Sequence, residues 1–140
     1  SLKLNQKIAL GQWARPELKG LFVDQKVTNL ENQGGTVVPD GSITGSCGTT
    51  CKPDIFHISP NGQVEFIEVK TGNAGLSENQ AKVFRQIGVD ASGRPQYIIP
   101  PDAVPSGDLM NELKMKPGQT LAEAGYIHGI PVKIQREPGG

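Results

Sequence analysis

Pro60-Asn61-Gly62 separates two strand-like runs, Ile55-Phe56-His57-Ile58-Ser59 and Gln63 to Lys70, and the turn it makes decides which side chains share a face. A two-residue turn on Asn61-Gly62 sets Asp54 opposite Val69 and sends Asp54 and Glu68 to opposite faces. Pro60 favours a three-residue loop instead, with Pro60 at position i+1 of a type I turn and Gly62 left-handed as a G1 bulge. Pairing then runs Ser59 with Gln63, Ile58 with Val64, His57 with Glu65, Phe56 with Phe66 and Asp54 with Glu68. Two carboxylates directly opposite repel by roughly 0.2–1 kcal/mol unless a cation lies between them. Lys70 falls on that same face, two residues beyond Glu68, whereas His57 falls on the other and reads as structural.

Around this hairpin the chain alternates helix and strand. Leu2 to Leu10 is mildly amphipathic; Pro16 then opens a helix carrying Leu18, Leu21, Phe22 and Leu30 at near-helical spacing, closed by Gly34-Gly35. Val37-Val38 predicts a brief strand, and Asp40 to Cys51 a polar, glycine-rich loop. Leu76-Ser77-Glu78-Asn79-Gln80 carries a capping box leading into Val83, Phe84 and Ile87, so a helix is expected up to Gly88. Gln80 lies in line with Phe84 and Ile87 and so should point at the sheet. Gln96 to Ile99 predicts a strand, Leu109 to Met115 and Leu121 to Gly125 short helices, and Val132 to Gln135 a final strand. With 18 Gly and 11 Pro among 140 residues and 36% hydrophobic residues, a single domain over 1–140 with a small core and long connections is expected.

The charge balance, 14 Lys+Arg against 14 Asp+Glu, argues against a polybasic nucleic-acid binder but leaves room for a local basic groove. Aromatic residues, at 5%, are too few for a base-stacking sheet. No apolar run approaches the roughly 18 residues a membrane span needs. Starting at Ser1-Leu2 without an initiator Met, the chain reads as a piece of a longer one, any export signal lying outside it. Cys47 and Cys51 are too few for a closed zinc site and leave two readings open, a loop disulfide or two free thiols. Trp13 reads as a packing anchor and His128 as a loop histidine.

Lys52-Pro53-Asp54 followed by Phe66-Ile67-Glu68-Val69-Lys70 resembles the motif of the PD-(D/E)XK nuclease superfamily, with Asp54 as the first acid and Glu68-Val69-Lys70 as the E-x-K. The capped helix bearing Gln80 resembles the helix that follows the motif in that family. The resemblance implies an α/β fold, a central mixed β-sheet flanked by helices in the order α-β-β-β-α-β. It covers about residues 16–99, the core, and leaves about 100–140 as a C-terminal extension. It further implies a catalytic set of Asp54, Glu68, Lys70 and Gln80, joined by an acid of the first helix, Glu17 or, as runner-up, Asp24. Lys52, Lys82 and Arg85 are candidate nucleic-acid contacts, although Lys82 and Arg85 read equally well as exposed helix residues.

The chemistry has its own warrant. Hydrolysing a phosphodiester needs charge neutralised on the phosphoryl oxygens and hydroxide generated near neutral pH, which a carboxylate-bound divalent ion supplies. Asp54 and Glu68 offer hard oxygens suited to Mg²⁺ or Mn²⁺, with Zn²⁺ as a third candidate. Lys70 would orient the attacking water or stabilise developing charge, and Gln80 would hold the water or the phosphate. So short a chain with a nuclease core also resembles the C-terminal toxin domain of a bacterial contact-dependent inhibition or other polymorphic toxin system. That implies delivery from the cell surface as part of a larger secreted protein, action on tRNA or DNA in the target-cell cytoplasm, and a cognate immunity protein. The competing expectations are a non-catalytic binding domain with a degenerate nuclease fold, which needs no metal, and a metal-dependent phosphatase, which spares both polymers.

Overall fold

The computed structural model describes residues 15–138, with side chains from Leu18 onward. The Leu2–Leu10 stretch, Trp13 and the side chain of Glu17 lie outside the described residues. The first helix among the described residues, α1, spans Arg15–Asn32 with Pro16 in its first turn. Its end is a Schellman closure: Gly35 N–H reaches Leu30 O at 3.0 Å and Gly34 N–H reaches Glu31 O at 3.0 Å, with Gly34 at φ +89°.

Among the described residues nine strands follow in two sheets. β1 (Thr36–Val38), β4 (Ile55–Ile58), β5 (Val64–Thr71), β6 (Arg85–Val89), β7 (Pro95–Ile99) and β9 (Ile130–Glu137) form a six-stranded sheet in the order β1-β4-β5-β9-β7-β6. Only β5 and β9 run parallel; every other neighbour is antiparallel. A second sheet, in the order β3-β2-β8, joins β2 (Ser42–Thr44), β3 (Thr50–Cys51) and β8 (Val104–Ser106). The remaining helices are α2 (Glu78–Val83), α3 (Gly107–Glu112) and a single 3₁₀ turn at Ala122–Ala124. The chain is therefore mixed α/β, a mixed sheet flanked by helices.

The hairpin has the register that the three-residue loop dictates: Ile58 opposite Val64, His57 opposite Glu65, Phe56 opposite Phe66, Ile55 opposite Ile67. Gly62 sits at φ +88°, and its N–H closes the turn on Ser59 O at 2.8 Å. Alternation then divides the strands between two cores. Ile55, Ile67 and Val69 pack under α1 against Leu18, Phe22 and Leu30. Phe56, Phe66 and Val64 face the larger core with Ile43, Val83, Ile99 and Leu109, and Phe56 meets Phe66 edge-on at 4.8 Å. Because both faces of β5 are covered, it is buried at Glu68 and Lys70 as well as at its apolar positions.

Four sequence expectations are corrected. The helix capped at Ser77 stops at Val83, and Arg85–Val89, expected as its continuation, is an edge strand paired with β7. β-Branched Ile87 and Val89 serve a strand as well as a helix, and the Asp90 turn returns the chain into β7: Asp90 Oδ1 accepts from Ser92 N at 2.9 Å and Arg94 N at 3.0 Å. The loop over Asp40–Cys51 holds β2 and β3, strands too short for alternation to show, and buries Ile43 completely. The two helices expected at Leu109–Met115 and Leu121–Gly125 are a helix over Gly107–Glu112 and a 3₁₀ turn. Finally, the stretch expected as a C-terminal extension contains β9, which pairs parallel with β5 and antiparallel with β7. Residues 100–140 thus do not stand outside the core: they supply a central strand, a long-range pairing that no local signal reveals.

Candidate active site

Beyond Ile55, the hairpin ladder is continued by side chains. Val69 N–H donates to Asp54 Oδ2 at 2.8 Å, and Asp54 N–H donates to Glu68 Oε1 at 3.0 Å. Each acid is therefore fixed by the other strand's backbone, and the two carboxylates converge. The cation that their opposition requires comes from α1: Lys19 Nζ lies 3.2 Å from Asp54 Oδ2 and 3.2 Å from Glu68 Oε2. A second ammonium, Lys70 Nζ, lies 3.5 Å from the same Glu68 oxygen.

Lys70 is held from α2. Gln80, buried, accepts from Lys70 Nζ at 2.8 Å through the same Oε1 that accepts from Ser77 N–H at 3.0 Å in the capping box. One amide oxygen thus both starts the helix and aims the lysine. The inward orientation expected of Gln80 is the one observed.

Exposure is graded across the cluster, with side chains 1% exposed at Glu68, 10% at Lys70, 18% at Asp54 and 35% at Lys19, so the cluster meets solvent at Asp54 and Lys19. The two acids diverge electrostatically. Burial raises the Asp54 carboxyl, the Glu68 charge raises it further, and Val69 N–H and Lys19 only partly offset them. Burial pushes Glu68 up as well, but the Gln80 amide, Lys19, the Asp54 N–H and Lys70 outweigh it and hold Glu68 below the usual carboxylate range. Burial would lower the Lys19 ammonium, yet Glu68 and Asp54 together raise it. Glu68, the more deeply buried acid, is thus the one its neighbours hold more firmly as an anion.

The structure brings Asp54, Glu68, Lys70 and Gln80 together and leaves Asp24, Lys52, Lys82 and Arg85 apart from them, while the side chain of Glu17 lies outside the described residues. Asp24 is exposed on α1. Lys52 donates to Asp40 at 2.8 Å on the surface, Lys82 pairs with Glu78 one helical turn away at 3.5 Å, and Arg85 is exposed at the start of β6. His57 bonds Glu65 at 3.3 Å on the opposite face of the hairpin, and His128 is exposed. Cys47 and Cys51 are both free thiols, Cys47 exposed and Cys51 buried. Sequence reasoning missed Lys19. Its signal was weak, a lysine beside buried Leu18 on the first helix, and its partners lie 35 and 49 residues away.

Among the described residues no three His, Cys, Asp or Glu side chains gather as a metal-ligating group. The donor set on offer is two carboxylates whose oxygens already meet at one cation. Mg²⁺ and Mn²⁺ fit it, being hard ions, and Mg²⁺ commonly binds through one or two carboxylates and keeps its waters. Among the described residues, no helix is long and apolar enough to cross a membrane. Comparison with family models, curated proteins and solved structures gives no match, so the chemistry of this site rests on the chain's own residues.

Proposed function

We propose that this chain is a metal-dependent nuclease of the PD-(D/E)XK kind, cleaving phosphodiester bonds of tRNA or DNA. The observation that carries the reading is the convergence of Asp54 and Glu68 on one cation, 3.2 Å from each, with Lys70 beside them on the same strand. The element order adds support: α1, then β1, β4 and β5 antiparallel, then α2, with β9 returning parallel to β5. Asp54 and Glu68 would hold Mg²⁺ or Mn²⁺, which when bound polarises the phosphoryl oxygen and acidifies a water. Lys70, pointed by Gln80, stabilises the charge that develops on the phosphoryl group and orients the water. Lys19 Nζ lies between the two carboxylates, so a divalent ion held by Asp54 and Glu68 would compete with its ammonium for the same oxygens.

The biological setting that fits such a domain is an interbacterial toxin, delivered as part of a larger surface protein and neutralised in its producer by an immunity protein. The test is incubation with plasmid DNA and total tRNA in Mg²⁺, Mn²⁺, Zn²⁺ or EDTA. Cleavage of at least one substrate is expected. EDTA, Asp54→Asn and Glu68→Gln should abolish it, and Lys70→Met should lower it by about 10²-fold or more. One observation favours a second reading: Lys19 neutralises both acids without any metal, as a non-catalytic domain with a degenerate nuclease fold would. That domain leaves both polymers intact in every buffer.

A further inference from the structure

Beside Lys70 a cavity of about 360 Å³ opens between the loop after β5, the far end of β9 and the β6–β7 hairpin. Its wall combines half-buried apolar surface, Tyr97, Leu76 and Ile134, with two guanidinium groups, Arg94 and Arg136, and the amide of Gln96. Neither guanidinium pairs with a described carboxylate. Arg136 is anchored at the rim, donating through one Nη1 to Ala74 O at 2.6 Å and Gly72 O at 3.4 Å, which leaves its other donors for a ligand. Arg94 stands exposed on the hairpin turn. The one acid in the wall, Asp90, spends its Oδ1 on the N–H groups of Ser92 and Arg94 and so belongs to the turn.

Resting on the nuclease reading, we propose that this cavity takes one unpaired nucleotide next to the scissile bond, so that the substrate is a single strand or loop rather than a duplex. An aromatic ring and aliphatic side chains offer a surface for a base, and two cations at the rim reach its phosphates. A duplex keeps its bases stacked inside and presents none to a concave pocket, whereas an unpaired base enters one directly. The ribose or deoxyribose is not distinguished by these groups. One tyrosine serves one base, which a chain poor in aromatics can supply.

The test is equilibrium binding in EDTA, with fluorescence anisotropy of a short labelled RNA strand, the same DNA strand and the matching duplexes. Both single strands should bind about tenfold or more tightly than their duplexes. Arg94→Glu and Tyr97→Leu should each weaken strand binding about tenfold. The surface variant Lys116→Ala should leave it unchanged, with circular dichroism showing all three folded. Preference for duplex, equal or undetectable binding, or Arg94→Glu and Tyr97→Leu binding like the unaltered chain, overturns the proposal. Strand preference without cleavage of any substrate supports the cavity's role and removes the nuclease reading. Cleavage together with duplex preference does the reverse.

Discussion

One hairpin carries two carboxylate clusters, one on each face, and they differ in kind. On the α1 side Glu65 is a lone acid between fixed partners, His57 Nδ1 at 3.3 Å and Lys133 Nζ at 3.0 Å. On the other, Glu68 and Asp54 are two acids brought within reach of one ammonium, with a second ammonium behind them. A shift of one residue in register would exchange the faces of β5 and pair no two acids. The Glu65 cluster is complete as a structural ion pair. The Glu68 cluster sets two converging acids against two ammonium groups, and on the proposed nuclease reading a dipositive ion would bridge both acids, which is what would separate a site from a brace.

The widest gap between the clusters should be in stability. Glu68→Ala leaves the buried Lys70 ammonium without its carboxylate and Lys19 with Asp54 alone, and should cost about 3–5 kcal/mol in urea unfolding. Glu65→Ala, whose Lys133 partner is two-thirds exposed, should cost about 1 kcal/mol or less. Equal losses would erase the distinction. Next in size is the response to divalent ions. Lys19→Met removes the resident cation, so Asp54 and Glu68 repel. The variant should unfold at lower temperature in EDTA than the unaltered chain, and 10 mM Mg²⁺, a concentration on the order of an ordinary assay's, should raise its Tm by several degrees more. A Tm insensitive to Mg²⁺ in both proteins would contradict that.

The thiols give a smaller but sharper reading. Burial, with the Glu68 charge adding to it, pushes Cys51 up to about 11, whereas the Thr49 hydroxyl and backbone N–H lower the exposed Cys47. At pH 8 Cys47 should alkylate about 10²-fold faster than Cys51, as mass spectrometry of peptides would show. Glu68→Gln should quicken Cys51 and leave Cys47 unchanged. The smallest effect is the pH dependence of the brace. Burial raises Glu65, but Lys133 and then His57 outweigh it, so the folded-state value lies below the unfolded one. Its contribution is therefore present above the unfolded carboxylate range and lost as pH falls through the lower folded value. Unfolding curves of Lys133→Ala and the unaltered chain should differ by about 1 kcal/mol or less at neutral pH and merge in acid.

What the sequence reveals here depends on how local the cause is. The turn residues Pro60, Asn61 and Gly62 set the register, and with it the meeting of Asp54 and Glu68, within a few residues of chain. Ser77 and Gln80 announce their own helix start, and the apolar line that includes Gln80 sends it inward. Lys19 needed the docking of α1, which no spacing shows. The central place of β9 needed a parallel pairing with a strand that ends almost 60 residues earlier, Thr71 against Ile130. β2, β3 and β8 have two or three residues each, and β8 carries Pro105 on a sheet edge where a missing N–H is tolerated. Such strands exist only because their neighbours do.

Whether Asp54 and Glu68 close on a single divalent ion is read most directly by calorimetric titration of the chain with Mn²⁺. One ion bound per chain is predicted for the unaltered protein, with no measurable binding in Asp54→Asn or Glu68→Gln and unchanged binding in Glu65→Gln. No heat of binding in the unaltered chain, or binding that survives both Asp54→Asn and Glu68→Gln, would contradict it.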